Sequence, residues 1–501
     1  MNRKEGEAMK IGIDSAAEAE VLVYPVYPGE TFPYKLGDGK RSSGSATWLL
    51  GRTETERDAL AVGMGERADL TLERVRRAAG TAARALRREG RMSALLVREP
   101  GGGDTAGIAA ADWLQAWTEG WLLGLYRYEA FREATKDRGP AALDLRAADW
   151  PELTPEAMEA AVATGRLRAE GTMVARGLVN ESPVTLHPDR FADWIAEYFD
   201  RGDPALRVRV YRGQELVDRR MSGLLAVGAG SRHRPALVEL RYEGDPALPL
   251  LALVGKGVTF DMGGMNAKTA SDITDARMDM GGAAAVVGAM DILARGRARA
   301  NVVALLPVAD NVPDAAAILP STVLRYPNGL TVEVANTDGE GRLLLADALL
   351  HAANLGAAET VDIATLTGNV GAALGLGIAG IWGDEDVSRR LVAIGERNGE
   401  RLWPMPLMDE YESELRSPYA DLRNVGRSPY GGAILAALFI RRFVAPGMRW
   451  AHIDMAGTVQ YKQDESYAET GATGYGARLL ADYAVQRADE ARRHEAEETQ
   501  R

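Results

Sequence analysis

The sequence predicts an α/β fold in two domains, and three observations carry that prediction. At 501 residues the chain is too long for one hydrophobic core, so it divides, with the second domain the larger. Short β-like apolar runs alternate with helical text along nearly the whole chain, as in sheets covered by helices. The hydrophobic fraction of 46% and charged fraction of 26% are ordinary for a globular protein.

The first domain runs over residues 1–152. Its strands read "EVLVYPVY", "ALAVGMG" and "SALLV". The helix "ADWLQAWTEGWLLGLYRYEAF" carries Trp113, Trp117 and Trp121 at four-residue spacing, one face of a helix, and reads as core packing. In "LERVRRAAGTAARALRREGR", Leu72 to Arg91, arginines alternate with alanines and no aromatics interleave. That reads as a solvated helix face rather than a nucleic-acid surface. The polar, proline-bearing text from Lys136 to Pro155 reads as an interdomain connection.

The second domain covers 153–501. A linking helix over about 155–178 opens on a Thr154 cap. Beyond it "ALVELRY", "LPLLALVG", "NVVALLPVAD", "TVDIATLTG" and "MRWAHIDMAG" are strands of a mixed sheet sandwiched by helices. Residues 487–501 form a highly charged, frayed tail.

A net charge of −12 argues against nucleic acid or an anionic membrane as partner. Without cysteine, thiolate metal sites and cysteine nucleophiles are excluded, and a reducing interior fits. The N-terminus lacks the apolar core of a signal peptide, and no segment reaches the ~18 apolar residues of a membrane span. A cytoplasmic enzyme is the expectation.

Two stretches carry chemistry. In "VGKGVTFDMGGMNAKTASDITDARMDMGG" glycines flank Lys256 and follow Asp261, so the backbone can turn tightly against a ligand. Lys268 and Asp279 complete the charged groups, although Asp279, standing before a helical run, also reads as an N-cap. The second stretch, "NTDGEGRLLLADALLHA", follows a hairpin turn at Asn328-Gly329. If extended, it places Asp338, Glu340 and Arg342 on one side. A surface salt-bridge ladder is the bland alternative. Carboxylates gathered without histidine suit hard or borderline divalent cations, which would relieve their mutual repulsion, and two such ions form a recognised hydrolytic device.

With "GKGVTFDMGG", Lys268, "MDMGGAA", "NTDGEGRL", "TLTG", "DLRNVG", "WAHIDMAGT" and "GATGYGARLL" in this order, the chain resembles the leucine aminopeptidase (cytosol aminopeptidase) family of binuclear metallopeptidases, strongly from about Arg176 to Tyr483. The resemblance implies a macro-like first domain and a catalytic second domain that trims N-terminal residues from peptides. It implies one metal held by Lys256, Asp261, Asp279 and Glu340 and an exchangeable one held by Asp261, Asp338 and Glu340. The ions would be Mn²⁺ or Zn²⁺, with Co²⁺ or Mg²⁺ as further candidates. Lys268 would stabilise the oxyanion, and Arg342 would hold a bicarbonate acting as general base. Substrate contacts are implied at Lys268, Asn336, Thr365, Leu366, Gly368 and Ala276, and a homohexamer of two stacked trimers is implied as the assembly.

Four positions depart from the family pattern: Met262, Gly339, the stretch Asp314 to Val323, and Gly177. Ala276 stands where many relatives carry a methionine, which should widen the pocket for the first side chain. "GLGIAG" from Gly375 follows no clear strand and is set aside as a dinucleotide motif. Ser231 in "GAGSRH" lacks the glycines of a nucleophile elbow. His452 and Asp454 read as a structural pair rather than a dyad. The rival function is a DNA-binding or scaffolding hexamer on the same fold, supported only by the basic helix from Arg74 to Arg91.

Overall fold

The computed structural model describes residues 9–15, 18–53, 56–98, 107–133, 139–200, 202–269 and 272–499. Residues 1–8, the Lys136–Arg138 start of the expected connection and the last two residues of the tail lie outside them. By their contacts the residues divide into two units, one of residues 1–173 with 462–470, the other of 174–461 with 471–501.

In the first unit β1 (Lys10–Ile13), β2 (Val21–Val26), β3 (Ala46–Leu49), β4 (Asp58–Gly63), β5 (Ser93–Leu96) and β6 (Ala142–Leu145) form a sheet in the order β1-β6-β5-β2-β4-β3, parallel except for β3. Helices α1 (Leu72–Arg88) and α2 (Ala110–Leu125) pack on each other. The tryptophan stripe is core as expected: Trp113, Trp117 and Trp121 are buried, and the first two stack at 5.1 Å. The connection read from Lys136 to Pro155 is corrected, because Ala142–Leu145 is a full member of the sheet, paired on both sides with Leu143 and Leu145 buried. Four residues with one internal acid are too short a run to show a period.

The basic helix is occupied within its own unit. Arg77, Arg84 and Arg87 pair with Glu465, Asp464 and Glu469. Arg76 is buried against Glu119 of α2, which also receives Arg168. The solvated-face reading of α1 therefore fails for its buried arginines; acids 380 residues away in sequence were not visible from the helix itself. Breaking a buried pair strands a charge, so Glu119→Ala is expected to lower stability by about 3–5 kcal/mol; a chemical-denaturation midpoint unchanged from wild type would refute this.

Helix α3 (Pro155–Asn180) opens on Thr154, whose Oγ1 accepts the Ala157 N–H at 3.2 Å. The unit division falls inside this helix, at Met173/Val174. The second unit continues with α4 (Pro188–Phe199), β7 (Leu206–Arg212), α5 (Gln214–Asp218), α6 (Ser222–Val227), β8 (Ala236–Glu243), β9 (Leu251–Gly255), β10 (Gly257–Asp261), α7 (Gly281–Arg295), β11 (Asn301–Asn311), β12 (Val323–Arg325), β13 (Thr331–Glu333), α8 (Gly341–Asn354) and β14 (Glu359–Ala364). It closes with α9 (Gly368–Leu374), β15 (Ala379–Gly383), α10 (Glu385–Asn398), β16 (Leu402–Pro404), β17 (Leu422–Arg423), α11 (Gly432–Arg441), β18 (Arg449–Asp454), β19 (Gln460–Tyr461), β20 (Gly471–Ala472) and α12 (Ala477–Thr499).

The main sheet is mixed, in the order β16-β15-β18-β14-β9-β11-β8-β7, with β10 pairing onto β11. Its centre, β18, β14, β9 and β11, is parallel, and β14 and β11 are buried along their whole length, as expected of strands covered on both faces. Ala252, Val254, Val303 and Leu305 share a core with α8 and α11. The alternate residues Leu251, Leu253, Val302 and Ala304 are equally buried, on the face where α7 packs. Asn328-Gly329 makes the hairpin turn between β12 and β13, with Gly329 at φ 90°.

Candidate active site

Strands β9, β10, β14 and β18 end at one cavity of about 590 Å³, the place where α/β sheets present ligand sites. Lys256 follows β9, Asp261 closes β10, and Thr365 and Leu366 follow β14. The stretch thought extended is a turn over Thr337–Asp338 followed by α8, whose first residue is Gly341; the leucine run takes up helical geometry as soon as the glycine permits. Asp338, Glu340 and Arg342 still meet at the cavity, but through a turn and a helix start rather than through strand alternation.

Charge is concentrated on one wall. Lys256 is 2% exposed, with Nζ 2.6 Å from Asp279, 2.7 Å from Glu340 and 2.9 Å from the Thr365 carbonyl. Burial alone would push its amine down, but Asp279, Glu340 and Asp261 outweigh that and hold it well above the ordinary lysine value. Lys268 lies 2.8 Å from Asp261 and also pairs with Asp338, and these carboxylates likewise raise it against burial. Burial and mutual repulsion push Asp279, Asp338 and Glu340 up. Burial lowers the Arg342 guanidinium to about 10 against the pull of Glu340 and Asp454, so it stays charged at neutral pH.

Asp279 caps nothing: α7 starts without a side-chain cap, and the Asp279 carboxylate instead accepts the Thr365 hydroxyl at 2.8 Å. Lys256, Asp261, Lys268, Ala276, Asp279, Asn336, Asp338, Glu340, Arg342, Thr365, Leu366 and Gly368 all line the cavity. One oxygen each of Asp261, Asp338 and Glu340 lies within 4.8 Å of the others. Three converging hard oxygen donors, a fourth carboxylate alongside and an amine able to ligate once deprotonated fit divalent ions. The counter-ions now on these carboxylates are the two lysines.

Two residues that hold this wall in place do so through partners the sequence did not indicate. Asn311 donates to Asp261 Oδ1 at 2.9 Å and to the Thr337 carbonyl at 3.0 Å. Asp454 accepts the Leu366 N–H at 3.1 Å and the Thr367 hydroxyl at 2.6 Å, fixing the loop after β14. His452 instead pairs with Asp362 at 2.5 Å and stacks on Trp382, so His452 and Asp454 do not pair with each other. Ser231 bonds Asp310. Met262 is half-buried and outside the cavity lining, as is the stretch Asp314 to Val323. His187, Asp189 and His233 bring donor atoms together elsewhere, but the two rings stack at 3.7 Å and 13°, which leaves their in-plane lone pairs parallel rather than aimed at one ion.

Comparisons with known proteins show which family the chain is similar to. Residues 173–481 match the catalytic domain of the cytosol aminopeptidase family, and residues 37–135 match that family's N-terminal domain. Among similar chains, a "Probable cytosol aminopeptidase" of Methylorubrum extorquens is 40% identical over 369 residues, 72% of each chain. One of a Geobacter species is 38% identical over 451 residues, 89% of each chain. Among solved structures, the bottromycin maturation enzyme BotP in complex with Mn superposes with a TM-score of 0.84 at 34% identity, covering 94% of this chain and all of that one.

Proposed function

Because the chain belongs to the cytosol aminopeptidase family and is a peptide hydrolase, we propose that it removes N-terminal residues from peptides in the cytoplasm, as a homohexamer, using two divalent metal ions and a bicarbonate. The observation that carries the reading is the convergence of Asp261, Asp279, Asp338 and Glu340 with Lys256 on one wall of the cavity. One ion is assigned to Lys256, Asp261, Asp279 and Glu340, the other to Asp261, Asp338 and Glu340. Mn²⁺ is the first choice, given the manganese complex of the similar BotP, and Zn²⁺, Co²⁺ and Mg²⁺ are the alternatives. Such ions would polarise a scissile carbonyl, acidify a water and take the free α-amine of the substrate.

The chain's own residues do the rest. Lys256 must give up its proton to ligate, since only the neutral amine has a lone pair, so metal uptake should release protons. Lys268, held charged by Asp261 and Asp338, is placed to donate to the oxyanion of the tetrahedral intermediate. Arg342 is anchored by one Nη to the Asn424 carbonyl at 2.7 Å while its buried Nε has no hydrogen-bond partner, which suits an anion such as bicarbonate. Asn336 and the Thr365–Gly368 loop would orient the peptide backbone. Calorimetric titration tests the metal assignment: two ions per chain with proton release are expected, and a single site without proton release would contradict it.

Ala276 is proposed as the residue that sets the width of the first side-chain pocket. Adding a methionine there should lower kcat/KM for phenylalanine relative to leucine substrates by roughly tenfold, since one or two misplaced methylenes discriminate on that scale. An unchanged Leu/Phe ratio in Ala276→Met would remove this assignment.

A further inference from the structure

We propose that Asn424 is a positioning residue for the reaction, fixing the turn that carries Asp338 and Glu340 and anchoring Arg342 through its main chain. The proposal rests on the metallopeptidase reading above. Asn424 follows β17 and is fully buried. Its Oδ1 accepts the Ala335 N–H at 2.8 Å and the Asn336 N–H at 3.3 Å; its Nδ2 donates to the Asn336 carbonyl at 2.6 Å and the Gly339 carbonyl at 3.2 Å. One amide thus uses both of its donors and both acceptor positions on the two ends of a single turn. Asp338 and Glu340 flank Gly339, one facing Lys268 and the other Lys256. The same residue's carbonyl takes Arg342 Nη1 at 2.7 Å.

Only a neutral amide fits. An aspartate would set oxygen against the two carbonyls that Nδ2 now satisfies, and an alanine would remove all four hydrogen bonds that the side chain makes to the backbone of the turn. The chain's glycine at 339 follows from the same contact. A Cβ on Gly339 would lie 2.9 Å from Asn424 Nδ2 and 2.8 Å from Val425 Cγ1, so an alanine there would press on the amide. The glycine is therefore matched to Asn424 and Val425 as they sit in this chain.

The test compares Asn424→Asp, Asn424→Ala and Gly339→Ala with wild type and with Leu438→Ala, a core truncation on α11 that removes no hydrogen bond to the turn. Mn²⁺ binding is read directly by paramagnetic resonance of the free ion, and kcat and KM are read on an aminoacyl p-nitroanilide. Both Asn424 variants should bind the weaker Mn²⁺ roughly 10- to 100-fold less tightly, the usual effect of losing a group that orients a ligand. They should lose kcat by a similar factor while KM stays within about threefold, as expected when ligand placement fails rather than binding. Gly339→Ala should show the same pattern in milder form, and it carries the test if the Asn424 variants do not fold. Variants that bind and turn over like Leu438→Ala would overturn the proposal. Loss of metal dependence in the wild type would instead overturn the metallopeptidase reading on which it rests.

Discussion

Glu340→Gln is expected to lower kcat/KM by roughly 10³-fold, about 4 kcal/mol of transition-state stabilisation. The side chain is buried, its Oε1 lies 2.7 Å from Lys256 Nζ, and it belongs to the carboxylate group shared with Asp261 and Asp338. Glu340 and Asp261 are each assigned to both ions, and of the two only Glu340 pairs directly with the buried Lys256. The amide keeps the shape and removes the charge, so the loss should appear as weakened metal uptake. The apo protein should also be less stable, on the order of 3 kcal/mol, because the buried Lys256 ammonium keeps only Asp279 as a close anionic partner. Activity within tenfold of wild type at saturating metal would show that Glu340 is not a ligand.

Gly341→Ala should be nearly as damaging by a different route. A Cβ there would meet Lys256 Cε at 2.8 Å and Leu366 Cδ1 at 2.9 Å. A lysine tip usually moves aside, but this one is buried and tied at Nζ to Asp279, Glu340 and the Thr365 carbonyl. Helix α8 should gain at most part of the about 1 kcal/mol by which alanine is favoured over glycine in a helix interior, because Gly341 is its first residue. The expected result is therefore a roughly 10²-fold fall in kcat with thermal stability close to wild type. Unimpaired turnover would mean that Lys256 has room to move and is not fixed as a ligand.

Much of this site was legible in the sequence, for reasons that can be traced residue by residue. Glycines beside Lys256 and after Asp261, and acids spaced through "NTDGEGR", are local signals, and every residue singled out from them lines the cavity. The tryptophan stripe of α2 and the buried runs of β11 and β14 were visible because burial on one face or two leaves a periodic or continuous apolar trace. What stayed hidden depends on partners far along the chain. The arginines of α1 look like a solvated face until Asp464, Glu465 and Glu469 are brought to them. Asn424, Asn311 and Asp454 act through hydrogen bonds to groups 26–89 residues away along the chain, and the sequence carries no period that marks such partners. The strand Ala142–Leu145 was lost because four residues cannot establish a period, and the extended reading of Asp338 to Arg342 failed because a turn and a helix start can gather the same side chains.

The central claim is that the charged wall binds divalent ions to hydrolyse peptides from a free N-terminus. The most direct measurement is release of p-nitroaniline from a panel of aminoacyl p-nitroanilides by metal-stripped protein, before and after restoring Mn²⁺, Zn²⁺, Co²⁺ or Mg²⁺, with Asp338→Ala and N-acetylated substrates alongside. Activity that returns with metal, disappears in Asp338→Ala and is absent on N-acetylated substrates is the predicted result. Folded protein that stays inactive with every metal, or that cleaves acetylated and free-amine substrates alike, would contradict it.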